Sequence, residues 1–107
     1  MDVDKERRRN LLWEATADCH DEEEQFWGIL YTLAEGELNF PLQARALGEP
    51  VEVVDLDGAR SGLHRGIVAL VRKGDREYPV ALADLEFVDP DPASAEWLEV
   101  YRYWLGL

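Results

Sequence analysis

Negative charge concentrated in one stretch of the chain is the feature that most constrains its fold. Between Glu14 and Asp57 there are twelve carboxylates and a single cationic side chain, Arg45. Over all 107 residues the formal net charge is −12 at pH 7. A compact chain with such an excess repels itself. The excess therefore needs an explanation, and the candidates are a divalent cation, a basic partner or solubility alone.

Length and composition predict a single folded domain over residues 1–107. Hydrophobic residues make up 47% of the chain, which argues against disorder despite the charge. No apolar run approaches the roughly 20 residues of a membrane span, and the N-terminus does not resemble a signal peptide, so we expect no membrane association. Cys19 is the only cysteine, which favours a reducing, cytoplasmic location. Nucleic acid is disfavoured because its phosphates would be repelled.

An amphipathic helix is predicted over residues 22–35. Asp21 is a suitable N-cap, and Glu24, three residues later, completes a capping-box pair. Apolar residues then recur at helical spacing until Gly36, which supplies a stop signal. Residues 1–14, which contain a three-arginine run, are expected to form a flexible or helical arm.

Short β-branched runs separated by tight turns follow this helix. Residues 73–75 predict a hairpin turn, and short strands with tight turns are typical of a small antiparallel barrel of the SH3-like type. Asp91 as N-cap with Pro92 at the first helical position predicts a final helix. The predicted fold class is therefore α+β: an N-terminal amphipathic helix, a small SH3-like antiparallel β-barrel and a C-terminal helix. The predicted strands are residues 40–47, 51–56, 64–72, 77–82 and 85–88.

Catalysis and zinc binding have little support in the sequence. His20 and His64 lie in different predicted elements, and neither is tied to a nucleophile. Cys19 is surrounded by carboxylates, whereas a reactive thiolate needs positive neighbours. One cysteine and two histidines at unrelated spacings do not make a zinc site. We therefore expect a protein that is not an enzyme.

Calcium is the ion whose ligand preference matches the composition, because it takes six to eight hard oxygen ligands. None of the acidic loops has the spacing of an EF-hand, so a site has to be assembled from separate segments. Glu35 and Glu37 flank Gly36 at the predicted helix end, where exposed carbonyls already concentrate negative charge. Helix C-termini favour cations, so carboxylates at this position indicate a functional site. Those at the helix start, by contrast, are explained equally well by capping.

Several segments resemble a known family. Residues 18–25 (Asp-Cys-His-Asp-Glu-Glu-Glu-Gln), 38–44 (Leu-Asn-Phe-Pro-Leu-Gln-Ala) and 101–104 (Tyr-Arg-Tyr-Trp) are similar to the small acidic calcium-binding proteins first described in heterocyst-forming cyanobacteria. The similarity extends over residues 15–105. It implies a cytoplasmic protein that binds calcium through surface carboxylates, buffers or sequesters it, and becomes more compact when loaded.

The resemblance also implies where the ligands lie. They would belong to the acidic helix start and to the acidic turn before Leu38. With the residue-level arguments, the predicted ligands of Ca²⁺ are Asp18, Asp21, Glu23, Glu24, Glu35, Glu37 and Asp57. The main alternative is a metal-free acidic SH3-like module that docks a basic protein partner, whose identity the sequence leaves unknown. A solubility-dominated domain is a third hypothesis, but it leaves Glu35 and Glu37 unexplained.

Overall fold

A computed structural model describes residues 3–17 and 19–106 of the chain. Its contacts divide the chain into two compact units. A helical unit contains three α-helices and a π-helical turn, Leu33–Glu37, and a sheet unit spans Asn39–Pro90. The helices are α1 (Val3–Ala15), α2 (Glu22–Thr32) and α3 (Pro92–Leu105); the strands are β1 (Leu42–Ala46), β2 (Glu49–Leu56), β3 (Val68–Lys73), β4 (Arg76–Ala81) and β5 (Glu86–Phe87).

Within the N-terminal segment, the residues from Val3 to Ala15 form helix α1. Helix α1 packs against α3 and, to a smaller extent, against α2. The guanidinium of Arg7 forms an ion pair with Glu96 of α3, and its Nη2 atom lies 3.3 Å from Oε2 of that residue. In the described part of the chain, no helix has the length and apolar character needed to cross a membrane.

Helix α2 begins where the sequence predicts. The Asp21 carboxylate accepts a hydrogen bond from the backbone N–H of Glu24 at 2.8 Å, as an N-cap does. The Glu24 carboxylate in turn accepts one from the backbone N–H of His20 at 2.7 Å, one residue further out than in a standard capping box. The helix is therefore fixed at its start by two reciprocal side-chain bonds. Its buried residues are Phe26, Ile29 and Leu30.

Helix α3 also confirms its predicted start. The Asp91 carboxylate accepts from the backbone N–H of Ser94 at 3.0 Å, and Pro92 occupies the first turn. Near its other end, Nε1 of Trp104 donates to the Gln25 side chain of α2 at 3.3 Å. The core of the helical unit is made of large apolar side chains from α2, the π-helical turn and α3: Phe26, Ile29, Leu30, Leu33, Leu38, Trp97, Leu98, Val100 and Tyr101.

The strands form an open antiparallel sheet, which corrects the predicted SH3-like barrel. The order is β4-β3-β2-β1-β5, and within residues 39–90 no ladder joins β4 to β5. The physical reason is the shortness of β5, which pairs with β1 only through Phe87 opposite Ala44 and Glu86 opposite Arg45. Strand number and turn spacing, on which the barrel prediction depended, do not determine whether a sheet closes. The α+β class itself is confirmed.

Two irregularities shape this sheet. The pairing of β2 with β3 shifts register between Val53 and Asp55, as in a β-bulge. The extra residue reverses the alternation of buried and exposed side chains along β2. Before the bulge the buried residues are at odd positions, Val51 and Val53, and after it the buried residue is at an even position, Leu56. In β4, Pro79 lies opposite Leu70 of β3. Proline is compatible with this position because β4 is an edge strand.

Candidate metal centre

The first group of predicted ligands lies at the start of α2. Asp21, Glu23 and Glu24 are exposed there, together with Glu22. Asp21 and Glu24 each use one carboxylate oxygen in the capping bonds. The carboxylates of Glu22 and Glu23 form no hydrogen bond or ion pair with any residue that the structure describes. Asp18, the remaining member of the predicted group, lies outside the described residues.

The second group lies on the π-helical turn that follows α2. Glu35 and Glu37 stand on either side of Gly36 and are exposed. Gly36 has φ 147°, a backbone conformation that residues with a side chain rarely adopt. The helix can therefore end here because this residue is glycine. The backbone N–H of Leu38 closes the turn on the carbonyl of Leu33 at 3.3 Å. Neither glutamate has a cationic partner among the described residues.

The two groups are too far apart to bind one ion together. They lie at opposite ends of the segment from Glu22 to Glu37. At a rise of about 1.5 Å per residue, this segment is about 20 Å long. Because calcium–oxygen distances are only about 2.3–2.6 Å, no single ion could be bound by both groups.

Asp57 belongs to the sheet unit and already has a cationic partner. Its side chain is only 16% exposed, and Oδ2 lies 2.6 Å from Nη1 of Arg60. Oδ1 accepts the backbone N–H of Arg60 at 3.3 Å. The side-chain hydrogen bond from Arg60 lowers the pKa of Asp57 most, backbone N–H groups of Arg60 and Ala59 act in the same direction, and partial desolvation opposes them. This ion pair was not part of the sequence prediction, although the i,i+3 spacing of Asp57 and Arg60 is a signal for it.

The predicted ligands thus fall into three places. Among residues 3–17 and 19–106, no three His, Cys, Asp or Glu side chains are arranged as a ready cage for a metal ion. What the described residues provide instead is exposed oxygen at two ends of one helix. Carboxylates and backbone carbonyls of this kind are the donors that calcium prefers.

Comparison with known proteins identifies the family. A family model described as calcium binding, Calci_bind_CcbP, matches residues 9–105. The chain belongs to the CcbP family. This confirms the resemblance noted in the sequence and, with it, calcium as the ligand. CcbP proteins are a calcium-binding family and not an enzyme family.

Two solved structures are similar over nearly the whole chain. The crystal structure of Anabaena CcbP has a TM-score of 0.82 and 26% sequence identity, covering 94% of this chain and 89% of that one. A calcium-binding protein in its calcium-binding form has a TM-score of 0.77 and 26% identity, covering 99% of this chain and 96% of that one. A search of curated proteins gives no match. The α+β fold of this chain is therefore similar to that of Anabaena CcbP.

Proposed function

We propose that this CcbP-family protein buffers or sequesters Ca²⁺ in the cytoplasm through exposed carboxylates, without an EF-hand. The observation that carries the proposal is the family match over residues 9–105. Support comes from exposed carboxylates that no described cation neutralises, at both ends of α2. Sites of this kind are shallow, so the bound ion keeps part of its water and exchanges readily.

The π-helical turn is the stronger of the two proposed sites. Glu35 and Glu37 lie at the C-terminal end of a helix, where the macrodipole and exposed carbonyls favour a cation. The carboxylates and nearby carbonyl oxygens together are the mixed set of hard donors that suits calcium. Magnesium needs near-ideal octahedral geometry and gives up water reluctantly, so it competes poorly at an open turn.

The start of α2 is the weaker proposed site. The positive end of the helix dipole lies there and opposes a bound cation. Binding consequently depends on the number of carboxylates. The carboxylate of Glu23 forms no hydrogen bond with the described residues, and Asp21 and Glu24 each have a second oxygen that is not used in capping. Asp18 completes this proposed set. Because the carboxylates are exposed, the affinity should fall as ionic strength rises.

Asp57 is proposed as a third, separate ligand at which calcium competes with Arg60. Its oxygens accept hydrogen bonds from that residue before any ion arrives. A divalent ion is attracted to a carboxylate more strongly than a single guanidinium is, but here it has to displace the existing ion pair with Arg60. We therefore expect Asp57 to be occupied last.

Loading with calcium stabilises the folded chain by mass action. At a free ion concentration about 100 times the dissociation constant, each site contributes about 2.7 kcal/mol. For a chain of this size, that raises the melting temperature by about 10–20 °C per site. A larger rise with calcium than with magnesium at matched ionic strength supports specific binding, whereas equal rises would indicate screening alone.

The test is isothermal titration of the full chain with calcium, comparing variants of equal charge change. Glu35→Gln/Glu37→Gln and Glu23→Gln/Glu24→Gln each remove two carboxylates from one proposed site. Asp75→Asn/Glu77→Gln removes two exposed carboxylates from the β3–β4 hairpin and serves as the control. Each helix variant should lose one binding event, and the control should retain all of them. Equal losses in all three variants would mean diffuse attraction by net charge rather than sites.

A further inference from the structure

The turn between β1 and β2 carries an unusual leucine. Leu47 and Gly48 form the two-residue connection, with φ 52° and φ 81°. Hairpin turns with two positive φ angles favour Asn, Asp or Gly at both positions. Gly48 follows this rule, whereas Leu47 holds a bulky side chain in a conformation that is strained for it.

Burial does not explain this leucine. Leu47 is fully exposed, at 104% of the reference area for the residue. It therefore gains nothing from the core of the sheet unit while it strains the backbone. A leucine held at positive φ, with no gain from burial inside the fold, points to a role outside it.

Leu47 lies on the wall of a cleft of about 700 Å³. The cleft is confined to the sheet unit and is formed by the β1–β2 turn, the edge strand β4 and the turn after it. Ala46, Tyr78 and Val80 supply half-buried apolar surface, and Glu49 and Asp84 supply carboxylates. The cleft thus combines an apolar floor with an acidic rim.

The charge of the rim selects the chemistry of the occupant. Lys73 forms an ion pair with Glu49, whereas Asp84 has no hydrogen bond or ion pair with the residues described. Basic side chains are therefore attracted locally by Asp84, and over longer distances by the formal net charge of −12. The same net charge disfavours a second copy of the chain as the occupant.

We propose that this cleft, the Leu47 cleft, binds a segment of a partner protein that carries an apolar side chain between lysine or arginine residues. The apolar side chain packs against Leu47 and Tyr78, and a flanking cation pairs with Asp84. None of these three residues belongs to the proposed calcium ligands. Peptide binding is therefore a property separate from calcium binding, and the variants that abolish one leave the other in place.

The probe is a pair of fluorescently labelled synthetic peptides, Lys-Arg-Gly-Leu-Gly-Arg-Lys and the same peptide with serine in place of leucine. Binding to the full chain is followed by fluorescence anisotropy. The leucine peptide should bind about fivefold more tightly than the serine peptide, a ratio in the range of direct side-chain contacts. Equal affinities would mean that only charge is recognised and would overturn the proposal.

Two protein variants make the test specific. Leu47→Asn suits the turn better, so it should raise the melting temperature while it removes the preference for the leucine peptide. Val88→Asn changes another exposed apolar residue of the sheet unit, outside the cleft, and should keep the full preference. A preference that survives in Leu47→Asn would overturn the proposal. So would sedimentation showing that the chain alone self-associates through Leu47, since the occupant would then be a second copy.

Discussion

The Oδ2 atom of Asp57 lies 2.6 Å from Nη1 of Arg60. The backbone carbonyl of Asp57 also accepts the Ser61 hydroxyl at 2.7 Å, and that hydroxyl oxygen accepts the backbone N–H of Val68 at 2.8 Å. Asp57 therefore organises the connection from β2 to β3. Its carboxylate has a structural task besides any that it has with calcium.

Removing the competing guanidinium should strengthen calcium binding at Asp57. Arg60→Gln leaves the carboxylate without a cation, and the energy of an exposed ion pair corresponds to an affinity gain of about twofold to fivefold. Titration calorimetry of the full chain measures this gain. Arg72→Gln is the matched control, because Arg72 pairs with Glu52 and its loss changes the net charge equally. Equal gains in both variants would show that Asp57 is not a ligand.

Asp57 should also make stability depend on pH at acidic values. Its pKa is lower in the folded chain than in the unfolded chain, mainly because of the hydrogen bond from Arg60. The ionised carboxylate therefore stabilises the fold above about pH 4, and this contribution is lost as the pH falls through the folded-state value. The stabilities of the wild type and Asp57→Asn, measured by urea unfolding, should differ at pH 6, and the difference should shrink as the pH falls below about 4. A difference that stays constant with pH would contradict the ionic origin.

Two substitutions at Asp21 separate capping from ion binding. Asp21→Ala removes the N-cap of α2 and should cost about 1 kcal/mol of folding free energy without calcium. Asp21→Asn retains an acceptor for the Glu24 N–H but loses the charge. It should remain near wild-type stability while calcium binding at the start of α2 weakens. If Asp21→Asn binds calcium as the wild type does, Asp21 is a cap and not a ligand.

Gly28 should be intolerant of a side chain. A Cβ atom there would lie 2.9 Å from the carbonyl oxygen of Ala15 and 3.2 Å from Sγ of Cys19. Gly28→Ala should therefore destabilise the fold by about 1–3 kcal/mol, as overpacking does. Chemical denaturation measures the change. Gly58→Ala is the control: its Cβ would meet open space, so the change should stay within about 0.5 kcal/mol.

The features that were predictable from sequence are those fixed by near neighbours. Asp21 and Asp91 cap helices through hydrogen bonds to residues three positions ahead, and such bonds leave a local signature. Gly36 ends its helix for an equally local reason. The hairpin between β3 and β4 is marked by Gly74, which has φ 62°.

Features that depend on distant residues could not be derived in the same way. The barrel was predicted from strand spacing, but closure depends on how far β5 extends along β1, and it pairs there through two residues only. Helix α1 lacks a clear apolar stripe, and its contacts are with α3 at the other end of the chain. The chemistry of the calcium ligands follows from composition and family. Which of these ligands lie close together in space does not follow from composition and family. The residues named for each site therefore remain predictions.

The proline in the outer strand β4 has a consequence for the loaded state. Bound calcium weakens the repulsion that keeps copies of an acidic chain apart. At that stage an exposed strand edge becomes a template for intermolecular pairing. Pro79 has no amide hydrogen to offer an incoming strand. The chain thus retains a protection against aggregation that does not depend on charge, at the moment when its electrostatic protection is weakest.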